Sequence, residues 1–305
     1  MKQWSGYILT ALSAIGFSTL GIFAKYAYMH EVTVTNMVAW RFLLSAVILW
    51  VIMLITRQKL PTVRDILWLA LMGGVGYNLM ATFFLNANRF ASAGLVSAML
   101  YTYPALVTLQ VALLGWEKFT LMRMVSLAGA AAGTLLVALS GENEPGSTVY
   151  LGVFYGLAAA VVYSVYITLG SRVVERVPPL TSTTFVCTAG AVVQVIYASA
   201  TGALVIPPAP ARLMIAGQVV LATVLAILFF FAGVSRIGPS RAAIVSTLEP
   251  VSAALLGIIL LGEVLTPRQV VGVVVVLASI ALLQLEKSVI RDKKSAGEVA
   301  GGASI

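Results

Sequence analysis

The chain has 305 residues, a formal net charge of +8 and a mean hydropathy of +1.00. Charged residues make up only 10% of it, against about 25% in ordinary soluble domains, which excludes a soluble globular protein. Its apolar residues fall in stretches of about 20, the length with which a helix crosses the hydrocarbon of a bilayer. We therefore expect an all-α integral membrane protein.

Ten apolar stretches are predicted as membrane spans, numbered 1 to 10 in chain order. They cover residues 5–28, 35–56, 65–88, 91–114, 120–139, 148–171, 180–202, 212–234, 238–261 and 267–286. No small-residue cleavage motif ends the first stretch, so we expect it to remain as a span. Residues 287–305 are charged and then rich in Gly, Ala and Ser, which indicates a disordered cytoplasmic tail.

The basic residues are distributed unequally between the two sides of this arrangement. Most of the 19 Lys and Arg residues fall on one side, and only Lys25, Arg89, Arg212 and Arg268 fall on the other. This asymmetry follows the positive-inside rule and predicts that both termini are cytoplasmic. We expect the membrane to be a bacterial inner (plasma) membrane. The net charge therefore reflects orientation in the bilayer, and we expect no nucleic-acid partner.

The chain contains an internal repeat with a constant offset. Pro104 and Pro250 are 146 positions apart, and so are Glu117 and Glu263. The same offset relates Gly6 to Gly152, Ser18 to Ser164, Thr35 to Thr181 and Phe83-Phe84 to Phe229-Phe230. We expect a first five-helix repeat in residues 1–146 and a second in 147–286. Because five is odd, the second repeat must be inverted in the membrane, as in alternating-access transporters.

Several short motifs accompany this repeat. Lys25 ends span 1, Arg41-Phe42-Leu43 opens span 2, and Glu249-Pro250 in span 9 is followed by Leu261-Gly262-Glu263. With ten spans in two halves, the chain resembles the EamA family of the drug/metabolite transporter superfamily. Gly115-Trp116-Glu117 departs from the family's usual Leu-Gly-Glu. The resemblance implies a basket-shaped bundle whose central cavity is lined by spans 1, 3, 4, 6, 8 and 9. Spans 5 and 10 would lie outside that cavity.

Polar and aromatic side chains near the middle of four spans form the candidate site. They are Phe17 and Ser18 in span 1, Tyr77, Asn78 and Thr82 in span 3, Ser97, Tyr101 and Tyr103 in span 4, and Tyr163 and Ser164 in span 6. Spans 3, 4 and 6 resemble the YddG-type exporters of aromatic and other neutral amino acids. We expect Asn78 and the tyrosine hydroxyls to bind the amine and carboxylate, and the rings to line the pocket. Alternatively, the tyrosines pack between helices and bond to backbone carbonyls.

Each of four further residues has two possible roles. Glu249, a carboxylate near the middle of a span, either exchanges a proton for substrate or bonds to backbone groups beside the kink. Pro104 and Pro250 remove backbone hydrogen bonds and act either as gating hinges or as static kinks. Arg41 either snorkels outward or holds a neighbouring helix.

The composition of the spans favours a carrier over an enzyme. We expect a secondary transporter that exports neutral amino acids or related small metabolites by alternating access. A drug or other metabolite exporter of the same fold, and a non-transporting membrane scaffold, are the alternatives. No His-Glu-x-x-His motif or intramembrane aspartate pair is present, so we expect no catalysis, no metal and no cofactor. The predicted partners are a small-molecule substrate and the bilayer, and we expect a monomer.

Overall fold

The computed structural model describes residues 2–87, 90, 96, 99–116, 120–138, 149–261, 266–268 and 270–282. The regular secondary structure of these residues is helical, and its helices follow the predicted spans. They are α1 (Lys2–Tyr28), α2 (Val34–Ile55), α3 (Val63–Leu71, Met72–Tyr77 and Asn78–Ala87), α4 (Tyr103–Leu113), α5 (Leu121–Ala138), α6 (Val149–Val174), α7 (Pro179–Ala200), α8 (Ala209–Val219, Val220–Leu225 and Ala226–Ile237), α9 (Pro239–Val245 and Leu248–Leu261) and α10 (Val270–Leu282).

Five of the described helices are long and apolar enough to cross a membrane. They are Val34–Ile55, Val63–Phe84, Tyr150–Val174, Pro179–Ala200 and Ala209–Ile237. Tyr103–Leu113, Leu121–Leu136 and Val270–Leu282 are shorter apolar helices. Three parts of the chain lie outside the described residues. They are most of the part of span 4 that precedes Met99, the connection between the repeats, and the C-terminal tail.

Side-chain caps begin several of the helices. The Thr33 hydroxyl accepts a hydrogen bond from the Asn36 amide at the start of α2. At the start of α3, Thr62 accepts from the amide of Asp65 and donates to its carboxylate. These bonds satisfy amide groups that the first turn of a helix leaves without partners. Asp65 also forms an ion pair of 3.2 Å with Arg176, which joins α3 to the loop after α6.

The first helix of the chain packs along the third helix of the second repeat. Gly6 of α1 lies against Ile237, and Gly16 lies against Ala226 of α8. From the first of these contacts to the second, the residue number rises in α1 and falls in α8, so the two helices are antiparallel. The glycines allow this close approach because a Cβ at either position would overlap the facing helix.

The two helices that are equivalent to α1 and α8 pack in the same way. Gly170 of α6 lies against Met72 of α3, and Gly76 of α3 lies against Tyr166 of α6. α6 corresponds to α1 and α3 corresponds to α8 through the 146-residue offset. Each repeat therefore packs its first helix on the third helix of the other, and the two repeats interlock.

The small residues of α5 pack within the chain. Gly129 lies against Ser279 of α10, and Gly133 lies against Gly272 and Val276. Small residues that are four positions apart lie on one face of a helix and let two helix backbones approach closely. The G-x-x-x-G spacing of Gly129 and Gly133 therefore serves helix packing within the chain. α5 and α10 are themselves repeat equivalents, and their contacts run antiparallel.

The buried core extends through the bundle and includes residues of α2, α3, α4, α6, α7, α8 and α9. Phe42, Leu49, Cys187 and Phe231 are almost fully buried there. Cys187 is free and buried, and it serves as a small packing residue. The outward helix faces carry exposed apolar side chains, such as Leu54 at 71% exposure, as a surface in contact with lipid requires.

Replacing Gly133 with valine should destabilise the protein. A Cβ there would lie 2.7 Å from the Gly272 carbonyl oxygen and 2.8 Å from Val276, so α5 and α10 would have to separate. We expect a loss of about 1–3 kcal/mol, read as a lower melting temperature of the detergent-purified protein. Ala132→Val, on the exposed face of the same helix, is the control. Equal melting temperatures for the two variants would contradict this packing.

Candidate functional site

The predicted spans 4 and 9 are interrupted at equivalent positions. Tyr101–Thr102 form a turn directly before α4, and Ser246–Thr247 form a turn between the two parts of α9. Tyr101 and Thr247 are 146 positions apart, so the same break occurs once in each repeat. Span 9 is predicted as one continuous stretch, and the structure divides it. Discontinuous helices of this kind surround substrate sites in transporters.

The two prolines explain where these breaks occur. Pro104 lies in the first turn of α4, and Pro250 lies in the first turn of the second part of α9. A proline has no amide hydrogen to donate to the preceding turn and is best accommodated at a helix start. Short bonds of the i to i+3 type replace the regular pattern there, from Thr247 to Ile244 and from the Glu249 amide to Ser246.

Hydroxyl side chains supply some of the bonds that the backbone loses at the breaks. Thr102 Oγ1 donates to the Met99 carbonyl at 2.7 Å, and Thr247 Oγ1 donates to the Ile244 carbonyl at 2.7 Å. Such compensation is needed because hydrocarbon offers no water to a released carbonyl. The polar character of the breaks is therefore a structural requirement of the interrupted helices.

The two breaks face each other. The side chain of Tyr101 lies close to that of Glu249, and the side chain of Tyr103 lies close to that of Ser246. One member of each pair comes from the first repeat and the other from the second. Tyr101 and Glu249 are half-buried, although the residues around Glu249 in α9 are mostly buried.

A continuous row of aromatic rings begins at these contacts. Tyr101 lies 6.3 Å from Tyr103, Tyr103 lies 4.7 Å from Tyr163, and Tyr163 lies 5.9 Å from Tyr166, measured between ring centroids. Tyr166 then lies 6.3 Å from Phe231. We call these five residues the aromatic ladder. It combines α4, α6 and α8, and offset or edge-to-face contacts at these distances stabilise the ring positions.

The hydroxyl of Ser164 is held by a polar group that the sequence analysis did not single out. Gln110 Nε2 donates to Ser164 at 2.8 Å, and Thr168 donates to Gln110 Oε1 at 2.7 Å. Ser164 itself donates to the Val161 carbonyl. Gln110 thus links α4 to α6 through two side-chain hydrogen bonds. An amide side chain inside a predicted span was the available signal, since such a group is costly without a partner.

The side chain of Asn78 is hydrogen-bonded to its own helix and to α7. Its Nδ2 donates to the carbonyls of Gly73 and Gly74, at 3.0 Å each, and its Oδ1 accepts from Gln194. The carbonyls belong to Met72–Tyr77, a π-helical segment whose widened turn leaves backbone acceptors available. The segment Val220–Leu225 of α8 is also π-helical, so both third helices carry one.

Arg41 is buried and points inward. It is 4% exposed, and its guanidinium donates to the Tyr77 hydroxyl at 2.7 Å. It also lies 4.9 Å from the ring of Phe42 and 5.8 Å from that of Tyr77. Of the two predicted roles, snorkelling or holding a neighbouring helix, the contacts show the second, because Tyr77 belongs to α3. Within the described part of the chain, no carboxylate forms an ion pair with Arg41.

The remaining candidate residues make local contacts. Ser18 donates to the Ile15 carbonyl and Thr82 donates to the Asn78 carbonyl, each within its own helix. Phe17 is half-buried and packs against the core. Ser97 lies outside the described residues. The residues that the structure brings together are therefore Tyr101, Tyr103 and Tyr163, with Glu249.

The described residues contain no group of three or more His, Cys, Asp or Glu side chains that could hold a metal ion. The polar groups around the ladder are hydroxyls, amides and one carboxylate, which suit hydrogen bonding to a small polar molecule.

Comparison with known proteins identifies the family. Residues 4–139 and 150–285 each match the model of the EamA-like transporter family, and the two matches have the same 146-residue offset as the repeat. A crystal structure of another protein superposes with a TM-score of 0.80 over 93% of this chain and 97% of that chain, at 19% identity. That likeness concerns the fold alone.

Curated relatives carry transporter names. An uncharacterized transporter of Synechocystis is 28% identical over 247 residues, which cover 76% of this chain and 71% of that protein. The uncharacterized transporter YcbK of Bacillus subtilis is 26% identical over 280 residues, covering 88% of this chain and 89% of the relative. The uncharacterized inner membrane transporter YicL of Salmonella typhimurium is 22% identical and covers 92% of this chain and 95% of the relative. With two copies of the family domain, this chain belongs to the EamA-like transporter family.

Proposed function

We propose that this chain is a secondary transporter that exports neutral amino acids, aromatic ones included, or closely related metabolites. It works by alternating access between two inverted five-helix repeats in the bacterial inner membrane, with both termini cytoplasmic and the protein acting as a monomer. The observation that carries the proposal is the aromatic ladder, which begins where the broken helices of the two repeats face each other.

The chemistry of these residues fits a zwitterion with an apolar side chain. Glu249 can pair with an ammonium group, and a tyrosine face can add a cation–π attraction of about 0.5–2 kcal/mol. The start of α4 follows directly on Tyr101–Thr102, and the positive end of a helix dipole favours a carboxylate. The rings of the aromatic ladder offer an apolar wall to the substrate's side chain.

The inverted arrangement is supported by the packing of equivalent helices. α1 on α8 and α6 on α3 form matching interfaces, and α5 and α10 contact each other antiparallel. A two-fold axis in the membrane plane relates such pairs in inverted-repeat transporters. Breaks at Tyr101–Thr102 and Ser246–Thr247 would then lie at similar depth, approached from opposite sides.

An export function for drugs or other metabolites is the second candidate. The family name and its relatives specify no substrate, and a pocket of tyrosines with one carboxylate would also suit an aromatic cation. Comparing transport of tryptophan with that of an aromatic amine lacking the carboxylate separates the two. A non-transporting scaffold would show no substrate-dependent flux.

Purified protein in liposomes should take up radiolabelled tryptophan, phenylalanine or threonine with saturable kinetics. Tyr101→Ala removes one ring of the aromatic ladder and the partner of Glu249, so kcat/KM should fall about tenfold or more. Tyr197→Ala is the matched control, because Tyr197 is 56% exposed on the outer face of α7. An equal decrease in both variants, or no flux above empty liposomes, would contradict the proposal.

Proton exchange can be tested separately at Glu249. If this carboxylate takes a proton as substrate leaves, Glu249→Gln should abolish the pH dependence of transport. Substrate should still bind, but more weakly, because its ammonium group loses a charged partner. Glu31→Gln changes an exposed loop carboxylate and should leave the pH profile intact. The measurement is initial flux and equilibrium substrate binding over a series of buffer pH values. A pH dependence that persists in Glu249→Gln would refute coupling through this residue and leave it a structural role.

A further inference from the structure

Arg41 places a positive charge inside the bundle, close to the aromatic ladder. Among the described residues no carboxylate pairs with it, and its Nε has no hydrogen-bond partner. Its guanidinium donates to the hydroxyl of Tyr77 at 2.7 Å. A charge that is buried with so few partners is costly in a membrane protein and marks a position with a functional role. We call Arg41 and Tyr77 the Arg–Tyr pair.

The hydroxyl of Tyr77 has a hydrogen left to donate. A guanidinium has no acceptor atom, so the Tyr77 oxygen accepts from Arg41 and its own hydrogen is directed elsewhere. Within the part of the chain that the structure describes, no group accepts this hydrogen. Tyr77 is half-buried, so the protein leaves part of its side chain uncovered. A hydroxyl that accepts from a cation is polarised and becomes a stronger donor to an anion.

The ring of Tyr77 is held in place by its neighbours. It meets the ring of Phe42 edge to face, with 5.0 Å between the ring centroids. The guanidinium of Arg41 lies 5.8 Å from the centre of the Tyr77 ring, and Gly76 lies against Tyr166 of the ladder. A donor that is already fixed in position loses less entropy when a ligand binds.

The Arg–Tyr pair and Glu249 reach the same ring of the ladder. Tyr163 lies close to Tyr77 and also close to Glu249. A positively charged group, acting through the Tyr77 hydroxyl, and a negatively charged group therefore flank one tyrosine. An amino acid carries its ammonium and its carboxylate on one carbon atom, so it needs partners of both signs near each other.

The Arg–Tyr pair occurs in one repeat only. Through the 146-residue offset, Arg41 corresponds to Cys187 and Tyr77 corresponds to Thr223. Thr223 donates to a backbone carbonyl five positions earlier, at the π-helical segment of α8. In α3 the side chain of Asn78 bonds such carbonyls, which leaves the Tyr77 hydroxyl for another use. A pair that served only the fold of a repeat would be expected in both repeats, so this difference indicates a role in binding.

We infer that the Tyr77 hydroxyl donates a hydrogen bond to the carboxylate of the transported substrate, and that Arg41 is the positioning residue that orients and polarises this hydroxyl. The inference rests on the proposed transport of amino acids and names the side chains that select a carboxylate. It adds a side-chain donor to the helix dipole of α4. An amine without a carboxylate gains nothing from the Arg–Tyr pair.

Equilibrium binding of three indole compounds to the detergent-purified protein tests this assignment. Tryptophan carries a carboxylate and an ammonium group, indolepropionate only the carboxylate, and tryptamine only the ammonium group. Tyr77→Phe keeps the ring and removes the hydroxyl, so binding of tryptophan and indolepropionate should weaken about tenfold. Binding of tryptamine should change less than about twofold. Tyr197→Phe, at an exposed tyrosine of α7, is the matched control and should leave all three affinities as they are.

Variants of Arg41 test whether it acts through Tyr77. Arg41→Gln should weaken binding of the two carboxylates about tenfold, whereas Arg41→Lys keeps the charge and a donor and should retain most of it. In the double variant Arg41→Gln with Tyr77→Phe the two losses should not add, because both remove the same interaction. Arg64→Gln, at an exposed arginine, is the control for loss of charge. Melting temperatures identify any variant that does not fold, and Tyr77→Phe, which keeps the ring contacts, then carries the test.

Each outcome separates this inference from the proposed function. Tryptophan binding by wild type that Tyr77→Phe leaves unchanged would overturn the inference while amino-acid transport stands. Equal weakening of all three compounds in Tyr77→Phe, or no binding of indolepropionate to wild type, would also overturn it. Binding of indolepropionate that depends on Tyr77, without any binding of tryptophan, would refute the amino-acid proposal and support the carboxylate assignment.

Discussion

A backbone group that leaves a helix inside a bilayer finds no water there, so every interruption of a membrane helix must be compensated by the protein. This constraint explains why the polar residues of the chain gather where they do. The breaks at Tyr101–Thr102 and Ser246–Thr247 lie within one helical turn before Pro104 and Pro250, and local hydroxyls donate hydrogen bonds to the carbonyls there. Once two breaks face each other, the pairs Tyr101–Glu249 and Tyr103–Ser246 follow as contacts between the repeats.

The same constraint applies to the third helix of each repeat. The π-helical segments Met72–Tyr77 and Val220–Leu225 free backbone carbonyls without ending their helices. In α3 these carbonyls are bonded by Asn78, which Gln194 of α7 holds in turn. In α8 the Gln218 carbonyl accepts from Thr223, five positions later. π-helical turns are rare and occur frequently at functional sites.

Much of the fold could be predicted from the sequence, because hydropathy and the constant 146-residue offset are strong signals. The predicted spans agree with the described helices in position. The division of span 9 at Ser246–Thr247 was missed, since these residues are compatible with a helix and only tertiary contacts show the break. The cluster of tyrosines was predicted in part, because Tyr101, Tyr103 and Tyr163 lie near mid-span. The partners of Gln110 and the inward direction of Arg41 could not be predicted, since the facing helix determines the partner of a polar side chain.

The central claim is that the two repeats are inverted copies that meet at the broken helices. Leu60 and Ile206 are equivalent positions, 146 residues apart, in exposed loops. In a Cys187→Ala background, Leu60→Cys and Ile206→Cys can be labelled with a membrane-impermeant maleimide in oriented vesicles. We expect Ile206→Cys to react from the periplasmic side and Leu60→Cys only from the cytoplasmic side. Reaction of both from the same side would contradict the inverted arrangement and the account of the site built on it.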